Sequence, residues 1–487
     1  MNSGNVTGSE GWDRYEHPLV DRYASAEMAA LFSARTRIRT WRRIWIALAR
    51  AQHELGIGGI TAEQVAALER AAEEIDFERA TELERELRHD VMAHVHAFGE
   101  VAPAARAVLH LGATSAFVVD NADLLVMREA LRVVERKALC VVAALAEFAE
   151  RHADLPTLGW THFQPAQPTT VGKRACLWIA DLLLDLDEIG FRQAEFRLRG
   201  LKGTTGTQAS FLALAGGDGE KVDELERRVV ALLDAPAAHP VTGQTYSRKV
   251  DAAWAATLAG VAESTGKFGN DLRLLQHLGE VLEPFGERQV GSSAMPYKRN
   301  PMRAERMCAL SRFAIQTAGN LAQTAATQWL ERTLDDSAVK RIALPETFLA
   351  VDALLVLYHD VAAGLEVREG AISENLRREL PAMATETLLM EAVESGGDRQ
   401  RLHERIRIRA REAAARVEAG EGSDLLDRLA GEPGFAELPE ETWRRARDPG
   451  TYVGRAPEQT RRYLAEEVRP RLAAYPDALE MSGEVRV

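Results

Sequence analysis

Residues 121–153 read NADLLVMREALRVVERKALCVVAALAEFAERHA, a run with neither glycine nor proline. As one helix it would extend about 50 Å at the helical rise of about 1.5 Å per residue, farther than an average domain is wide. Leu124, Leu125, Leu131, Val134, Leu139, Val142 and Leu145 recur at helical intervals around it, more apolar surface than a single buried face needs. A helix buried on several sides belongs in a bundle. Core packing accounts for the leucine stripes, and assembly with further copies of the chain accounts for the excess length.

Outward from this run, stretches 171–196, 249–282, 303–329 and 345–363 have the same helix-like character, broken only by scattered glycines. Long helices in this number imply a central bundle. Thr61 with Gln64 three residues on forms a capping-box pattern, and Gly56 and Gly58 end the helix before it. Residues that favour strands occur in no sustained alternating run, so the expected fold class is all-α. Beyond Glu366 the helices become shorter and highly charged, punctuated near Gly396, Gly420, Pro433, Gly434 and Pro449. Three segments are expected: an N-terminal helical domain over 1–113, a central long-helix bundle over 114–366, and a C-terminal helical domain over 367–487.

The composition fits this picture. A chain of 487 residues exceeds one ordinary core, and 46% apolar with 27% charged residues is the balance of a folded protein. Apolar runs such as Cys140 to Leu145 and Leu182 to Leu184 are far shorter than the roughly 20 residues a membrane helix needs, so no span is expected. The opening Met1, Asn2, Ser3 and Gly4 lead into charged residues without the basic and apolar regions of a secretory leader; a cytoplasmic location is expected. Cys140, Cys176 and Cys308 occupy helix-like apolar patterns in no paired spacing, which suits reduced core thiols. A net charge of −13 argues against general attraction to nucleic acid or anionic lipid, so an anionic ligand must be held by local positive groups.

Polar loops interrupt the helices at Arg88-His89-Asp90, at Gly112-Ala113-Thr114-Ser115, at Gly159-Trp160-Thr161-His162, and over residues 291–301, Gly-Ser-Ser-Ala-Met-Pro-Tyr-Lys-Arg-Asn-Pro. Loops on a rigid scaffold are common carriers of catalytic groups. In the last of them glycine and proline frame two serines, a lysine, an arginine and an asparagine. Lys298 and the backbone amides suit a carboxylate, and a hydroxyl of lowered pKa suits proton transfer; a plain surface turn has the same composition. His162 precedes a long helix, which suggests an imidazole exposed at a helix end and active near neutral pH. A lone histidine is more often structural, so its neighbourhood has to decide.

Other chemistries are poorly supported. His89, Asp90, His94 and His96 lack the four-residue repeat of two-histidine metal sites, and no metal is expected. Residues 260–267 mimic a phosphate loop but place five residues between the glycines and end on Phe268 instead of a hydroxyl residue. No Gly-x-Ser-x-Gly elbow occurs, which disfavours a serine hydrolase.

The block at 291–301 resembles the signature loop of the fumarase and aspartase superfamily, and its Ala-Met-Pro-Tyr-Lys-Arg-Asn-Pro-Met-Arg form is similar to the animal-type adenylosuccinate lyases. Blocks at 88–96, 110–121, 157–174, 202–211, 331–337 and 379–392 are similar to the same family, so the resemblance covers nearly the whole chain. It implies a homotetramer with a central helical bundle and active sites built from three subunits. It also implies a carbon–nitrogen lyase that eliminates fumarate from adenylosuccinate, giving AMP, and from the succinylcarboxamide imidazole ribotide, giving the aminoimidazole carboxamide ribotide.

By that resemblance His162 is the general acid and Ser292 the general base, with Ser293 adjacent and exchangeable in role. Thr114, Ser115, Thr161, Gln244, Lys298 and Asn300 are implied at the succinyl end, where the carbanion becomes an enediolate-like dianion. Arg22, Tyr23, Arg88, His89, Asp90, Arg306, Arg332, Ser337 and Arg341 match positions that hold the nucleotide, and arginine suits phosphate through its fork of donors. Such an elimination needs no cofactor, and none is expected; nor is a nucleic-acid or membrane partner. The alternative is a lyase of the same superfamily acting on another succinylated amine. Trp160 and Pro168 stand where the family pattern has Phe and Leu, and Trp160 adjoins the acid.

Overall fold

The computed structural model describes residues 15–286, 288–476, 481, 483 and 485. Met1 to Gly4, read above for the lack of a leader, lie outside the described residues. The elements that position the site are helices α1 (Ala34–Glu54), α2 (Asp90–Val101) and α3 (Ser115–Arg151), the strands β1 (Pro156–Thr161) and β2 (Gln164–Thr170), and helices α4 (Val171–Ala194) and α5 (Lys249–His277). They are followed by β3 (Val281–Leu282), α6 (Met302–Ala326), α7 (Asp336–Ala363), β4 (Glu366–Val367) and α8 (Glu369–Glu394).

Residues 121–151 lie within one helix of 37 residues, α3, close to 55 Å long at about 1.5 Å per residue. Leu124, Leu131, Val134, Val142 and Leu145 are all fully buried along it. It packs against α4 and α7, and α5 packs against α6 and α7, so the predicted bundle is formed by these five helices. The capping box is present as read, with the Thr61 side chain and the Gln64 amide reciprocally bonded. Gly56 and Gly58 take positive φ just after α1, the conformation that ends a helix without strain only in glycine.

Four details differ from the sequence reading. Residues 156–170, expected as a loop running into a helix, form a β-hairpin with a bulge between Leu158 and Gly159. Pro165 and Pro168 contribute no strand donors, and the turn is His162-Phe163 rather than Asn-Gly, so nothing in the sequence signalled a hairpin. The stretch from 249 stops as helix at His277, and Val281–Leu282 pairs instead with Glu366–Val367. The helix from Met302 ends at Ala326, leaving Trp329 exposed in the next loop. Pro345 lies inside α7 rather than at its start; it lacks the N–H that would reach the Arg341 carbonyl, a gap tolerated beside the cavity described below.

Helix α7 is also long and apolar enough to cross a bilayer by length and composition, but 78% of its 18-residue apolar window is buried inside the structure. Its apolar surface serves the core. Residues 260–267, the mimic of a phosphate loop, fall within α5, where no loop can cradle an anion. A second hydrophobic cluster includes Leu388, Leu402, Leu429, Phe435 and Trp443, whereas Leu464 and Val468 fold back into the main core.

Candidate active site

The beginnings of α2, α3, α5 and α7 converge on a cavity of about 730 Å³. It is lined by Arg88, His89, Asp90, Thr114, Ser115, Gln244, Arg332, Ser337 and Arg341 among the residues singled out from the sequence. Arg88 caps the preceding helix, Phe77–Leu87, in a left-handed conformation with φ of 55°. This turn lets His89 follow in extended backbone as the N-cap of α2.

The cap fixes the histidine tautomer. His89 Nδ1 accepts the Met92 amide at 3.4 Å, so a neutral ring carries its proton on Nε2. That nitrogen lies 3.2 Å from Ser115 Oγ, and the serine hydroxyl hydrogen remains available to a ligand. Arg341 Nη2 reaches Asp90 Oδ2 at 2.6 Å, joining the N-terminal segment to α7 across the cavity. Gln244 is held by its backbone N–H on the Glu331 carbonyl at 2.9 Å and by its side chain on the Thr204 carbonyl at 3.2 Å.

The floor was not foreseen. Asp120, Arg248, Asp336 and Lys340 all line the cavity while being almost fully buried. Arg248 bonds Asp336 through Nε at 2.6 Å and Asp120 through Nη2 at 2.9 Å, and Lys340 bonds the Tyr246 hydroxyl at 3.1 Å and pairs with Asp123 at 3.0 Å. Burial opposes charge on Asp120, yet Arg248 and Lys340 hold its carboxyl below the usual carboxylate range. Burial likewise opposes charge on Lys340, and Asp251 nevertheless keeps its ammonium well above the ordinary value. A buried ion cluster is a poor stability device compared with apolar packing, which fits a role in presetting charge under a ligand. The available signal was charged residues set at core positions of otherwise apolar helices.

The remaining candidates lie elsewhere in the chain. Thr161 and His162 are exposed at the tip of the β1–β2 hairpin, which corrects the helix-end position expected for His162. His162 and Phe163 both have positive φ, 54° and 57°, an unfavourable turn for residues with a side chain. Trp160 packs its ring against Phe163 with centroids 5.6 Å apart.

Ser292, Ser293, Lys298 and Asn300 lie in the loop between β3 and α6. Ser292 Oγ accepts the amides of Met295 at 3.1 Å and Ala294 at 3.4 Å. Asn300 Nδ2 closes the loop on the Gly291 carbonyl at 2.7 Å, and a Cβ at Gly291 would run into the Lys298 carbonyl. Arg299 grips Glu366 with both terminal nitrogens, at 2.8 and 3.1 Å. Arg22 and Tyr23 belong to a short helical turn, and the Arg306 guanidinium lies 5.7 Å from the Tyr23 ring centre.

Helix length separates these groups. The hairpin follows the far end of α3, about 55 Å from Ser115 at the helical rise, and strands of six and seven residues return at most about 23 Å of that. The loop at 291–301 likewise follows the far end of α5 from Arg248. A single copy of the chain therefore keeps His162 and Ser292 away from the cavity that gathers the other groups. His94, once considered as a ligand, packs against Trp41 and Phe77, and burial pushes it down to about 4.

Comparison with known proteins agrees with these features. A family model described as "Lyase" matches residues 22–315, and one described as "Adenylosuccinate lyase C-terminus" matches residues 381–463. The chain is 48% identical to the adenylosuccinate lyase of Saccharomyces cerevisiae, over 95% of this chain and 97% of that one. It is 46% identical to that of Schizosaccharomyces pombe, over 96% and 97%, and 42% identical to that of Schistosoma mansoni, over 98% and 99%. Among solved structures it is similar to the 3-carboxy-cis,cis-muconate lactonizing enzyme of Pseudomonas putida, with a TM-score of 0.82 and 27% identity over 94% of this chain and all of that one. A fumarate lyase from Mesorhizobium gives a TM-score of 0.79 at 26% identity, over 93% of this chain and all of that one. The chain belongs to the adenylosuccinate lyase family.

Proposed function

We propose that this chain is a carbon–nitrogen lyase that eliminates fumarate from adenylosuccinate, giving AMP, and from the succinylcarboxamide imidazole ribotide in purine nucleotide biosynthesis. The observation that carries this reading is the cavity in which Thr114, Ser115 and Gln244 sit beside His89, Arg332, Ser337 and Arg341. Hydroxyl and amide donors suited to a carboxylate thus adjoin arginines suited to a phosphate, in a chain whose family acts on a molecule with both.

In this mechanism Ser292, as alkoxide, takes the proton from the succinyl carbon next to a carboxylate. The electron pair moves into that carboxylate as an enediolate-like dianion, and donors from Lys298 and Asn300 lower its energy. The pair then returns to form the fumarate double bond as the carbon–nitrogen bond breaks, and His162 delivers a proton to the departing nitrogen. The Met295 and Ala294 amides that point at Ser292 Oγ favour its anion. Thr161 next to the acid is assigned to the succinyl end, and Arg22, Tyr23, Arg88, Asp90 and Arg306 to the nucleotide.

The same reading makes the working unit a homotetramer whose sites draw on several subunits. The separation of His162 and Ser292 from the cavity supports it, as do Leu177, Leu184 and Phe191, which stand exposed at seven-residue intervals along α4 as an apolar seam for another helix. A cytoplasmic location follows for an enzyme of nucleotide synthesis, and the cysteines form no disulfide among the described residues. The test is to mix the purified protein with adenylosuccinate, follow the ultraviolet absorbance and identify the products. Fumarate and AMP in equal amounts are expected; a folded oligomer that releases neither would overturn the reading.

A further inference from the structure

Arg332 lies outside any helix, in the segment that joins α6 to α7. The side chains before it contribute little packing, with Trp329 72% and Leu330 98% exposed and Leu330 at a positive φ of 44°; the backbone is held at Glu331, whose carbonyl accepts the Gln244 N–H. A guanidinium on such a segment would sample many positions, and a charged ligand would have to arrest it on binding.

The structure supplies a different anchor. Arg332 Nη1 donates to both oxygens of Asp336, at 3.0 and 2.8 Å. Among the described residues, Nε and Nη2 have no bond that would withhold them from the cavity. The Asp336 carboxylate is 1% exposed against 25% for the Arg332 side chain, so the aspartate is fixed and the arginine leans on it. Asp336 Oδ2 also receives Arg248 Nε at 2.6 Å, and Arg248 in turn bonds Asp120 at 2.9 Å. The beginnings of α3, α5 and α7 thus meet in one buried network whose outermost member faces the ligand.

We propose that Asp336 is a positioning residue for phosphate recognition: it holds the Arg332 guanidinium in place for the 5′-phosphate of the substrate. This rests on the reading above, that Arg332 contacts that phosphate. Asp336 acts here through Arg332, so its loss falls most heavily on what Arg332 binds.

The experiment compares adenylosuccinate with the same molecule lacking its 5′-phosphate, as substrates of wild type, Asp336→Asn and Arg332→Gln. For D336N the KM of the phosphorylated substrate is expected to rise about 10- to 100-fold with kcat within about threefold, the pattern of lost uniform binding. Its kcat/KM for the dephosphorylated substrate is expected to fall by a much smaller factor than that for the phosphorylated one, and R332Q to show the same selectivity. Equal losses on both substrates for D336N, or none on either, beside a phosphate-selective R332Q would overturn the role of Asp336 and leave the reading of Arg332 standing. An R332Q variant impaired equally on both substrates would overturn that reading and this inference with it. Should D336N not be recovered as a folded oligomer, Asp336→Glu keeps the charge and moves the anchor; a phosphate-selective rise in KM supports the proposal and an unselective one overturns it.

Discussion

The side-chain oxygen of Ser292 accepts the backbone N–H of Met295 at 3.1 Å and that of Ala294 at 3.4 Å. No such pair of amides faces Ser293 among the described residues. A hydroxyl is a weak acid, and two amides aimed at its oxygen favour the anion over the neutral form. The two adjacent serines are thereby distinguished. Ser292→Ala is expected to lower kcat by about 10²- to 10⁴-fold, the range for a lost proton-transfer group, and Ser293→Ala by less than about tenfold. Steady-state rates on oligomers of unchanged size check this; a larger loss at Ser293 would reverse the assignment.

Gly159 carries a second expectation. It sits at the bulge of the β1–β2 hairpin, and a Cβ there would run into the Gln167 carbonyl. The hairpin would have to open to admit alanine, moving the strained His162-Phe163 tip. A misplacement of about 1 Å costs a catalytic group on the order of 10² in rate. Gly159→Ala is therefore expected to lose activity on that scale, while thermal unfolding, governed by the bundle, shifts by only a few degrees. Wild-type turnover in this variant would show that the tip position is not set at the bulge.

The bundle was legible because its helices are long and their apolar periodicity is strong: Leu131, Val134 and Leu145, read as core, are fully buried. The hairpin was not legible, since His162-Phe163 is a poor turn by composition and Pro165 and Pro168 withhold strand donors. The loops at 88–90 and 112–115 were identifiable from their polar residues between helices, and they do meet in one cavity. The floor beneath them escaped notice because Asp120 and Lys340 read as interruptions of helical stripes, and only their pairing across helices makes them a site. The sequence also contained no hint of which loops share an end of the bundle, a matter of helix direction rather than of any local pattern.

Acid stability supplies a further expectation. His110 Nδ1 accepts the Trp45 indole N–H at 2.9 Å, and burial, with a smaller contribution from His89, pushes the ring down to about 4. The folded chain then keeps His110 neutral where the unfolded chain takes up a proton below about pH 6.5. Stability from this group is present above that pH and falls as pH drops from about 6.5 toward 4, by about 3 kcal/mol at most. His110→Asn retains an acceptor and tolerates the φ of 65° found there. Urea unfolding at pH 7 and pH 4.5 should show a smaller acid penalty for H110N than for wild type; identical penalties would remove His110 from the account.

The distance between His162 and Ser115 within one protomer leads to a sharper test of shared sites. On the proposed reading of shared sites, and with α3 spanning 37 residues between the cavity and the hairpin, one site takes His162 and the cavity residues from different chains. His162→Ala disables every site in a pure oligomer, and Arg332→Gln lowers each one about 10- to 100-fold when the substrate is kept well below its raised KM. When the two proteins are mixed, dissociated and reassembled at equal ratio, a site that takes each residue from a different chain has about one chance in four of being intact. Specific activity at that low substrate concentration should therefore recover to about a quarter of wild type after mixing, above the level of either parent. If both residues served the same site from the same chain, no redistribution of subunits would restore any activity at all, and the mixture would stay at the level of its parents.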